Sequence, residues 1–89
     1  MMSMYEEGML AKAKAGHDCG NIYVIIRLSG EYVYLADGCL RTLDRPKKKN
    51  KKHIQVIHRK CNVQNITDIQ IKRVIKDYLT ERTVIKEEK

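Results

Sequence analysis

The sequence predicts a mainly β protein: a small barrel or sandwich of about five short strands, followed by one C-terminal amphipathic α-helix. In the first two-thirds of the chain, apolar and polar residues alternate in short runs separated by glycine-containing turns. After residue 66 the apolar residues recur at helical spacing instead. The chain has 89 residues and a hydrophobic content of 43%, which suits one small folded domain.

Three strands are predicted before residue 37. The clearest alternation runs over residues 22–28, which are rich in β-branched side chains. Ser29-Gly30 then interrupts the pattern, and residues 32–36 alternate again. Two alternating runs around a short glycine-containing break predict a β-hairpin. Residues 8–14 alternate more weakly and supply a first strand.

Two further strands are predicted downstream. An Asp-Gly turn signal at residues 37–38 allows residues 39–43 to return as a short strand. Residues 45–52 are expected to form an extended, exposed loop, because Pro46 lacks a backbone donor and biases its neighbours away from helix. Residues 53–58 alternate again as the last strand. Since the chain has no Phe or Trp, its core must come from Ile, Val, Leu and Tyr.

One helix is predicted over residues 67–82. Thr67 is its N-cap, and Gln70, three residues later, completes a capping box. The barrel then spans residues 1–66, and residues 83–89 form a charged tail. The apolar stripe of the helix either packs on an open side of the barrel or serves as a dimer or partner interface. That stripe comprises Ile71, Val74, Ile75, Tyr78 and Leu79.

Nearly all of the charge imbalance lies in residues 41–60. This stretch holds nine Lys or Arg residues and a single acid, Asp44, so it carries a formal charge of +8, whereas the whole chain carries +7. Such a surface attracts polyanions, and nucleic-acid phosphate is a common one because each neutralised phosphate releases a counterion. The alternative is a solvated lysine-rich loop without a partner. Five lysines within residues 47–52 repel one another unless an anion lies nearby, which favours a partner.

The sequence contains no pattern typical of an enzyme or a metal site. Residues 17–19 place an imidazole, a carboxylate and a thiol side by side, but a catalytic Cys–His pair is usually assembled from distant segments. Residues 39–61 hold two Cys and two His without the two closely spaced pairs that structural zinc requires. Phosphate-binding glycine loops are also absent. We therefore expect no catalytic residues, no metal and no cofactor.

The expected location is the cytoplasm. No run of about 18 apolar residues could span a membrane, and the N-terminus has acids where a signal peptide needs cations. The three cysteines are odd in number and widely spaced, which indicates reduced thiols rather than a disulfide framework.

Tyrosines supply the aromatic chemistry of the chain. Tyr32 and Tyr34 share one face of a predicted strand, the arrangement that a stacking platform for unpaired bases would need. Together with Tyr23 they could equally pack in the core, close the edge of the barrel or meet the C-terminal helix. Both interpretations stay open at the level of sequence.

Residues 14–26 resemble a KOW motif, in which a strand, a glycine-containing loop and a second strand carry alternating hydrophobic residues around a fixed glycine. Gly16 and Gly20, with Tyr23 and Val24, supply that pattern here. A KOW motif occurs both in translation proteins and in transcription-elongation factors.

The following segments resemble the large-subunit ribosomal proteins of the fourteen-e type. In those proteins the KOW hairpin leads through a turn, here residues 32–38, into a basic segment that ends in an Asn-x-Lys-His-hydrophobic pattern. Residues 45–54 end in that pattern, with Asn50 at its start and Ile54 at its end. The similarity covers about residues 6–58.

The resemblance implies an SH3-like β-barrel that binds RNA, generally ribosomal RNA. Residues 15–20 would approach the backbone of RNA or a neighbouring ribosomal protein, and residues 47–53 of the basic loop 41–53 would contact phosphates. The implied function is that of a non-enzymatic RNA-binding protein of the translation apparatus, associated with the large ribosomal subunit as a monomer or weak dimer. The residues expected to bind RNA are Lys14, His17, Arg41, Arg45, Lys47, Lys48, Lys49, Lys51, Lys52, His53, Arg59 and Lys60, and Gly16 and Gly20 are expected to shape the loop.

The alternative function is that of a protein-interaction KOW module, which docks during transcription elongation or ribosome assembly. In that case the apolar surface of the barrel or the helix would matter more than the lysines.

Overall fold

The computed structural model describes residues 5–14 and 20–87, with side chains described as far as Glu81. Within these residues the fold is mainly β, as predicted, with five antiparallel strands and one C-terminal helix. The strands are β1 (Met9–Ala13), β2 (Ile22–Ser29), β3 (Tyr32–Ala36), β4 (Lys47–Asn50) and β5 (Ile54–Lys60). A single turn of 3₁₀-helix (Lys51–His53) joins β4 to β5, and the helix is α1 (Asp68–Glu87).

The order of the strands forces the sheet to curl. Neighbours pair in the order β4-β3-β2-β1-β5, so β4 and β5 follow each other in the chain but lie at opposite edges. In a flat sheet those edges would be about 19 Å apart, because adjacent strands are about 4.8 Å apart. Only the 3₁₀ turn separates Asn50 from Ile54, and that length of chain spans at most about 15 Å. The sheet therefore bends into an open, barrel-like fold.

Each face of the sheet buries a cluster of apolar side chains, against a different partner. Inside the curl, side chains from all but β4 form the inner cluster, which is Ala11, Ala13, Tyr23, Ile25, Val33, Leu35 and Ile54. On the opposite face, Ile71 of α1 closes the outer cluster, whose other members are Leu10, Ile22, Val24 and Ala36. Burial on both faces explains the unbroken apolar run at the start of β2, since a strand covered on both sides needs no polar alternation.

A β-bulge in β2 reverses which side chains point into the barrel. Ile25 pairs with Leu35 but Arg27 pairs with Tyr34, so one extra residue, Ile26, is inserted between the two pairs. Strict alternation would place Leu28 on the same face as Val24 and Ile26. Instead Leu28 packs against the inner cluster, and Arg27 lies on the outer face.

The helix α1 begins as predicted and extends further than predicted. The Thr67 hydroxyl accepts a hydrogen bond from the Gln70 backbone N–H at 3.2 Å, and the Gln70 side chain accepts one from the Thr67 N–H at 3.0 Å. This reciprocal pair is the predicted capping box. The predicted end of the helix at residue 82 is wrong. The helix continues to Glu87 and takes in most of the tail expected at residues 83–89.

The predicted strand over residues 39–43 is wrong, because a side chain organises this segment as a loop. The Asp37 carboxylate accepts hydrogen bonds from the backbone N–H groups of Cys39 and Arg41, at 2.8 and 2.9 Å. These bonds satisfy backbone donors that a strand would offer to a neighbour. The Leu43 N–H is bonded in turn to the Asp68 carboxylate at 2.8 Å, which ties the loop to the first turn of α1.

Candidate nucleic-acid interface

The lysine run is a strand and not the exposed loop expected over residues 45–52. Lys47–Asn50 forms β4, at the edge of the sheet, and pairs with β3 from Tyr32↔Asn50 to Leu35↔Lys47. An edge strand is paired on one side only. It therefore does not need an apolar alternation of its own. Lysines on an edge strand also discourage pairing with a strand of another molecule. The structure thus holds the lysines in register with the tyrosines of β3.

The lysines of β4 point to two different faces. Lys47 and Lys49 pair with Leu35 and Val33, which belong to the inner cluster, and they are half-buried at the rim of the barrel. Lys48 pairs with Tyr34 on the outer face and is exposed. Lys48 is therefore the strand lysine best placed to meet a ligand on the outer face.

Two cations and two tyrosine rings lie together on the outer face of β2, β3 and β4. We call the residues Arg27, Tyr32, Tyr34 and Lys48 the tyrosine face. The Lys48 ammonium lies 4.5 Å from the centroid of the Tyr32 ring, and the Arg27 guanidinium lies 6.0 Å from that of Tyr34. Exposed contacts of this kind contribute about 0.5–1 kcal/mol each. They hold positive charge beside aromatic surface without fixing it firmly.

The tyrosines differ in the roles that sequence left open. Tyr23 is 2% exposed and belongs to the inner cluster, so it packs in the core. Tyr32 is 41% exposed and Tyr34 is half-buried, and neither belongs to either cluster. Two of the three rings therefore remain accessible from the outer face.

Arg27 is a member of this face that sequence reasoning missed. Strict alternation assigns Arg27 to the same face as Ile25, which points into the barrel. The bulge at Ile26 turns Arg27 outward to pair with Tyr34. The signal available in the sequence was the arginine itself, since a charged residue after five apolar ones indicates that two-sided burial of the strand ends there.

The 3₁₀ turn gathers further basic residues at one end of β4. The Asn50 side chain accepts a hydrogen bond from the Lys52 backbone N–H at 3.0 Å and so caps this turn. The ammonium of Lys51 lies 5.3 Å from the Tyr5 ring centroid, and Lys52 is exposed. The Lys14 backbone N–H donates to the His53 carbonyl at 2.9 Å. Lys14, just after β1, and His53 of the turn, both predicted to bind RNA, thus lie side by side.

Arg59 and Lys60 are engaged with acids of the same chain. The Arg59 guanidinium donates two hydrogen bonds to the Glu81 carboxylate on α1, one of them at 2.6 Å, and Lys60 forms an ion pair with Glu6. The hydrogen bond from Arg59 lowers the pKa of Glu81, and the same contact raises the pKa of Arg59. These two cations join the C-terminal end of β5 to α1 and to the N-terminal segment, so their charge is largely compensated locally.

Arg41 and Arg45 lie in the loop between β3 and β4, and both are exposed. The Arg41 carbonyl accepts hydrogen bonds from the N–H groups of Asp37 and Gly38, at 2.8 and 3.1 Å. The Arg45 N–H donates to the Thr42 carbonyl at 3.0 Å. The backbone of both arginines is thus ordered by the loop, and Arg45 lies close to the start of β4 in the chain.

The glycine loop expected to approach RNA lies mostly outside the described residues. Gly16 and His17 are in this part of the chain, and so is Cys19. Gly20, the other loop-shaping residue, is described: its φ is +92°, and its N–H donates to the Ala13 carbonyl at 2.9 Å. This bond closes the loop at its base, where β1 ends and β2 begins.

A cleft opens beside Tyr34. Its volume is about 290 Å³, and it lies between the outer face of β2 and the segments that precede β4 and α1. Arg27 and Tyr34 line one side, and Pro46 and Ile66 are among the apolar residues that line the rest. The cleft is thus a recess with both polar and apolar walls, and a guanidinium is part of its lining.

The described residues contain no cluster of three His, Cys, Asp or Glu side chains that could hold a metal ion. Cys39 is exposed and Cys61 is half-buried, and each is a free thiol. Burial raises the pKa of the Cys61 thiol, which makes it less reactive as a nucleophile. No helix in the described part of the chain is long and apolar enough to cross a membrane.

The sequence matches no protein-family model and no curated protein. What the tyrosine face and the neighbouring lysines can bind therefore has to follow from their own chemistry. They combine exposed cations, accessible aromatic rings and a cleft lined in part by apolar residues on one side of the sheet.

Proposed function

We propose that this protein is a non-enzymatic RNA-binding protein of the translation apparatus. RNA would lie on the tyrosine face and extend along the 3₁₀ turn. The observation that carries the proposal is the register of β4 with β3, which puts Lys48 within 4.5 Å of the Tyr32 ring centroid. Phosphates and bases need these two kinds of group, cationic and aromatic, close together.

Charge supports a polyanion as the partner. The chain carries a formal charge of +7, and residues 41–60 account for all of it. Lys48, Lys52, Arg41 and Arg45 are exposed. Because the Arg59 and Lys60 charges are matched by Glu81 and Glu6, the four exposed cations between residues 41 and 53 are better placed to meet a polyanion.

The resemblance to ribosomal proteins supports ribosomal RNA as the target class. Co-sedimentation of the protein with the large ribosomal subunit, at low but not at high salt, is the expected result in a sucrose gradient. Sedimentation at the top of the gradient under both conditions would contradict a place on the ribosome.

Direct binding to RNA can be tested with a matched pair of double variants. Replacing Lys48 and Lys52 with Gln removes two exposed cations at the proposed interface. Replacing Lys72 and Lys76 with Gln removes two exposed cations from α1. If Lys48 and Lys52 each meet one phosphate, the slope of log K against log salt should become less steep by about 1.4 on a single strand. Fluorescence anisotropy with a labelled RNA stem-loop at several salt concentrations measures it.

The α1 pair serves as the control, because it changes the net charge equally. Equal losses of affinity for both pairs would show that only the total charge matters, and an affinity independent of salt would contradict phosphate binding altogether.

A second candidate function is docking on another protein. The exposed apolar side chains Leu40 and Ile69, 84% and 74% exposed, favour it. In that case partner binding should survive the replacement of Lys48 and Lys52 and should weaken when Leu40 or Ile69 is replaced by Ser.

A further inference from the structure

The tyrosine face has aromatic rings and a cleft that phosphate binding alone does not require. Lysines alone would attract an RNA backbone, yet here two accessible rings lie on one face of β3 and a cleft opens next to one of them. The bulge in β2 adds a guanidinium at the cleft. Aromatic rings beside a partly apolar cleft are features that can recognise bases.

We propose that the tyrosine face binds unpaired nucleotides, with one base stacked on Tyr32 and another inserted into the cleft against Tyr34. Lys48 and Arg27 then meet the phosphates that flank these bases. This inference rests on the proposed RNA binding and specifies its substrate: single-stranded RNA, or the loop of a structured RNA, rather than a duplex.

The spacing of the two rings favours an unstacked strand. Tyr32 and Tyr34 are two residues apart on β3, which corresponds to about 7 Å along a strand. Successive bases in a helical nucleic-acid strand are about 3.4 Å apart. Two neighbouring bases that stack on these rings must therefore be unstacked from each other. Bases in a duplex stay stacked and paired, so they cannot occupy both rings.

The cations do not block the rings. The side chain of Lys48 is exposed and flexible, and its contact with Tyr32 is one of the weak, solvent-exposed kind. A base that stacks on the ring can displace the ammonium, which then remains within reach of the attached phosphate. The Arg27 guanidinium, 6.0 Å from the Tyr34 centroid, can stay in place and line the cleft.

The cleft offers a site with partly apolar walls for a base. Tyr34, Pro46 and Ile66 are among the residues that line its volume of about 290 Å³, so a planar ring placed there can contact aromatic and apolar surface. Arg27 on the wall provides hydrogen-bond donors for base oxygens or for a phosphate.

A single tryptophan introduced at Tyr32 can report stacking directly. The chain contains no Trp, so the emission of the Tyr32→Trp variant comes from this position alone when it is excited at a wavelength that Trp absorbs and Tyr does not. We expect short oligouridine to quench this emission on binding and a blunt RNA duplex not to do so. The Tyr78→Trp variant is the control. Tyr78 is on α1 and lies beside Arg59 of β5, outside the tyrosine face, so the emission of this variant should not respond to RNA.

Affinity gives an independent measurement. Replacing Tyr32 or Tyr34 with Leu should weaken oligouridine binding about fivefold or more, whereas the Phe variants, which keep the ring, should stay within about twofold of the parent protein. Circular dichroism checks that each variant is folded.

Each outcome separates the stacking proposal from the RNA-binding proposal. Oligouridine that binds without quenching, with Leu variants as tight as the parent, would overturn base stacking and leave phosphate binding intact. Equal quenching by the duplex would overturn the preference for unpaired bases. If neither RNA binds, the proposed function fails and this inference fails with it.

Discussion

The ammonium of Lys48 lies 4.5 Å from the ring centroid of Tyr32, although Lys48 is paired in the sheet with Tyr34. The lysine reaches its diagonal neighbour on β3, a distance that long side chains can span. Tyr34 is thereby left to the Arg27 guanidinium, which comes from the strand on the other side. Each ring thus has its own cation, and the two come from opposite neighbours of β3.

The attachment of α1 to the sheet depends on Ile71. This side chain is fully buried in the outer cluster, whereas Ile69, two residues earlier, is 74% exposed. Replacing Ile71 with Ala should lower the free energy of unfolding by about 2–5 kcal/mol, since it removes buried methyl groups and leaves a cavity. The same change at Ile69 should alter it by less than about 0.5 kcal/mol.

Urea denaturation followed by circular dichroism compares the two variants. A similar loss of stability at both positions would contradict the packing of α1 described above.

The loop between β3 and β4 packs closely against α1 at Gly38. A Cβ atom at this position would lie 2.2 Å from the carbonyl oxygen of Asp68 and 3.0 Å from the nitrogen of Lys72, and φ is +79°. Gly30 also has a positive φ, of +57°, but a Cβ there would meet no atom within 4 Å. Gly30→Ala should therefore lower the free energy of unfolding by about 1–2 kcal/mol, because only the left-handed backbone conformation becomes unfavourable.

Gly38→Ala should cost more than that, because the first turn of α1 must also move away. Thermal or urea unfolding of the two variants side by side isolates the close approach from the backbone effect. Equal destabilisation would show that the loop yields without disturbing the helix.

The ion pair between Arg59 and Glu81 predicts a pH dependence. The hydrogen bond from Arg59 lowers the pKa of Glu81 below its usual value of 4.5, so the carboxylate is favoured by folding. The stabilisation is present above pH 4.5 and is lost as the pH falls through the lowered pKa of the folded state. Arg59 stays charged throughout this range. Because both groups are exposed, the effect is small and weakens with salt.

The difference in stability between the parent protein and Glu81→Gln should accordingly be present at neutral pH and disappear well below pH 4.5. Chemical denaturation at low ionic strength, repeated at the two pH values, measures it. A difference that does not change with pH would mean that the ion pair contributes nothing to folding.

Local patterns were sufficient for much of the fold. The hairpin of β2 and β3 was predicted from two alternating runs around Ser29-Gly30, and the start of α1 from Thr67 and Gln70. These features depend on residues close together in the chain, so the sequence expresses them directly.

Predictions failed where side-chain bonds to the backbone, or pairing with another strand, override the alternation pattern. Residues 39–43 form a loop because the Asp37 carboxylate binds the backbone N–H groups of Cys39 and Arg41, a local contact that alternation does not reveal. Asp68 binds the Leu43 N–H, and sequence spacing does not show that Asp68 is nearby. The run Lys47–Asn50 has no strand pattern in its own sequence. It is a strand because it pairs with β3, which supplies its hydrogen bonds.

The candidate site was predicted in its charge but not in its arrangement. The sequence located the basic stretch and paired Tyr32 with Tyr34 on one face of a strand. It did not place Lys48 beside them or add Arg27, and it gave no sign that Glu81 and Glu6 engage Arg59 and Lys60. Those contacts join residues far apart in the chain.

By itself, then, the sequence determined the alternation of the strands, the capped helix and the location of the positive charge, because each depends on near neighbours. Only the tertiary structure decided that the lysine run becomes an edge strand and that the two edges of the sheet are drawn together by the 3₁₀ turn. It also decided that the bulge at Ile26 turns Arg27 outward. The physical reason is that these features are set by hydrogen bonds and packing between segments that no short turn connects, which no local pattern encodes.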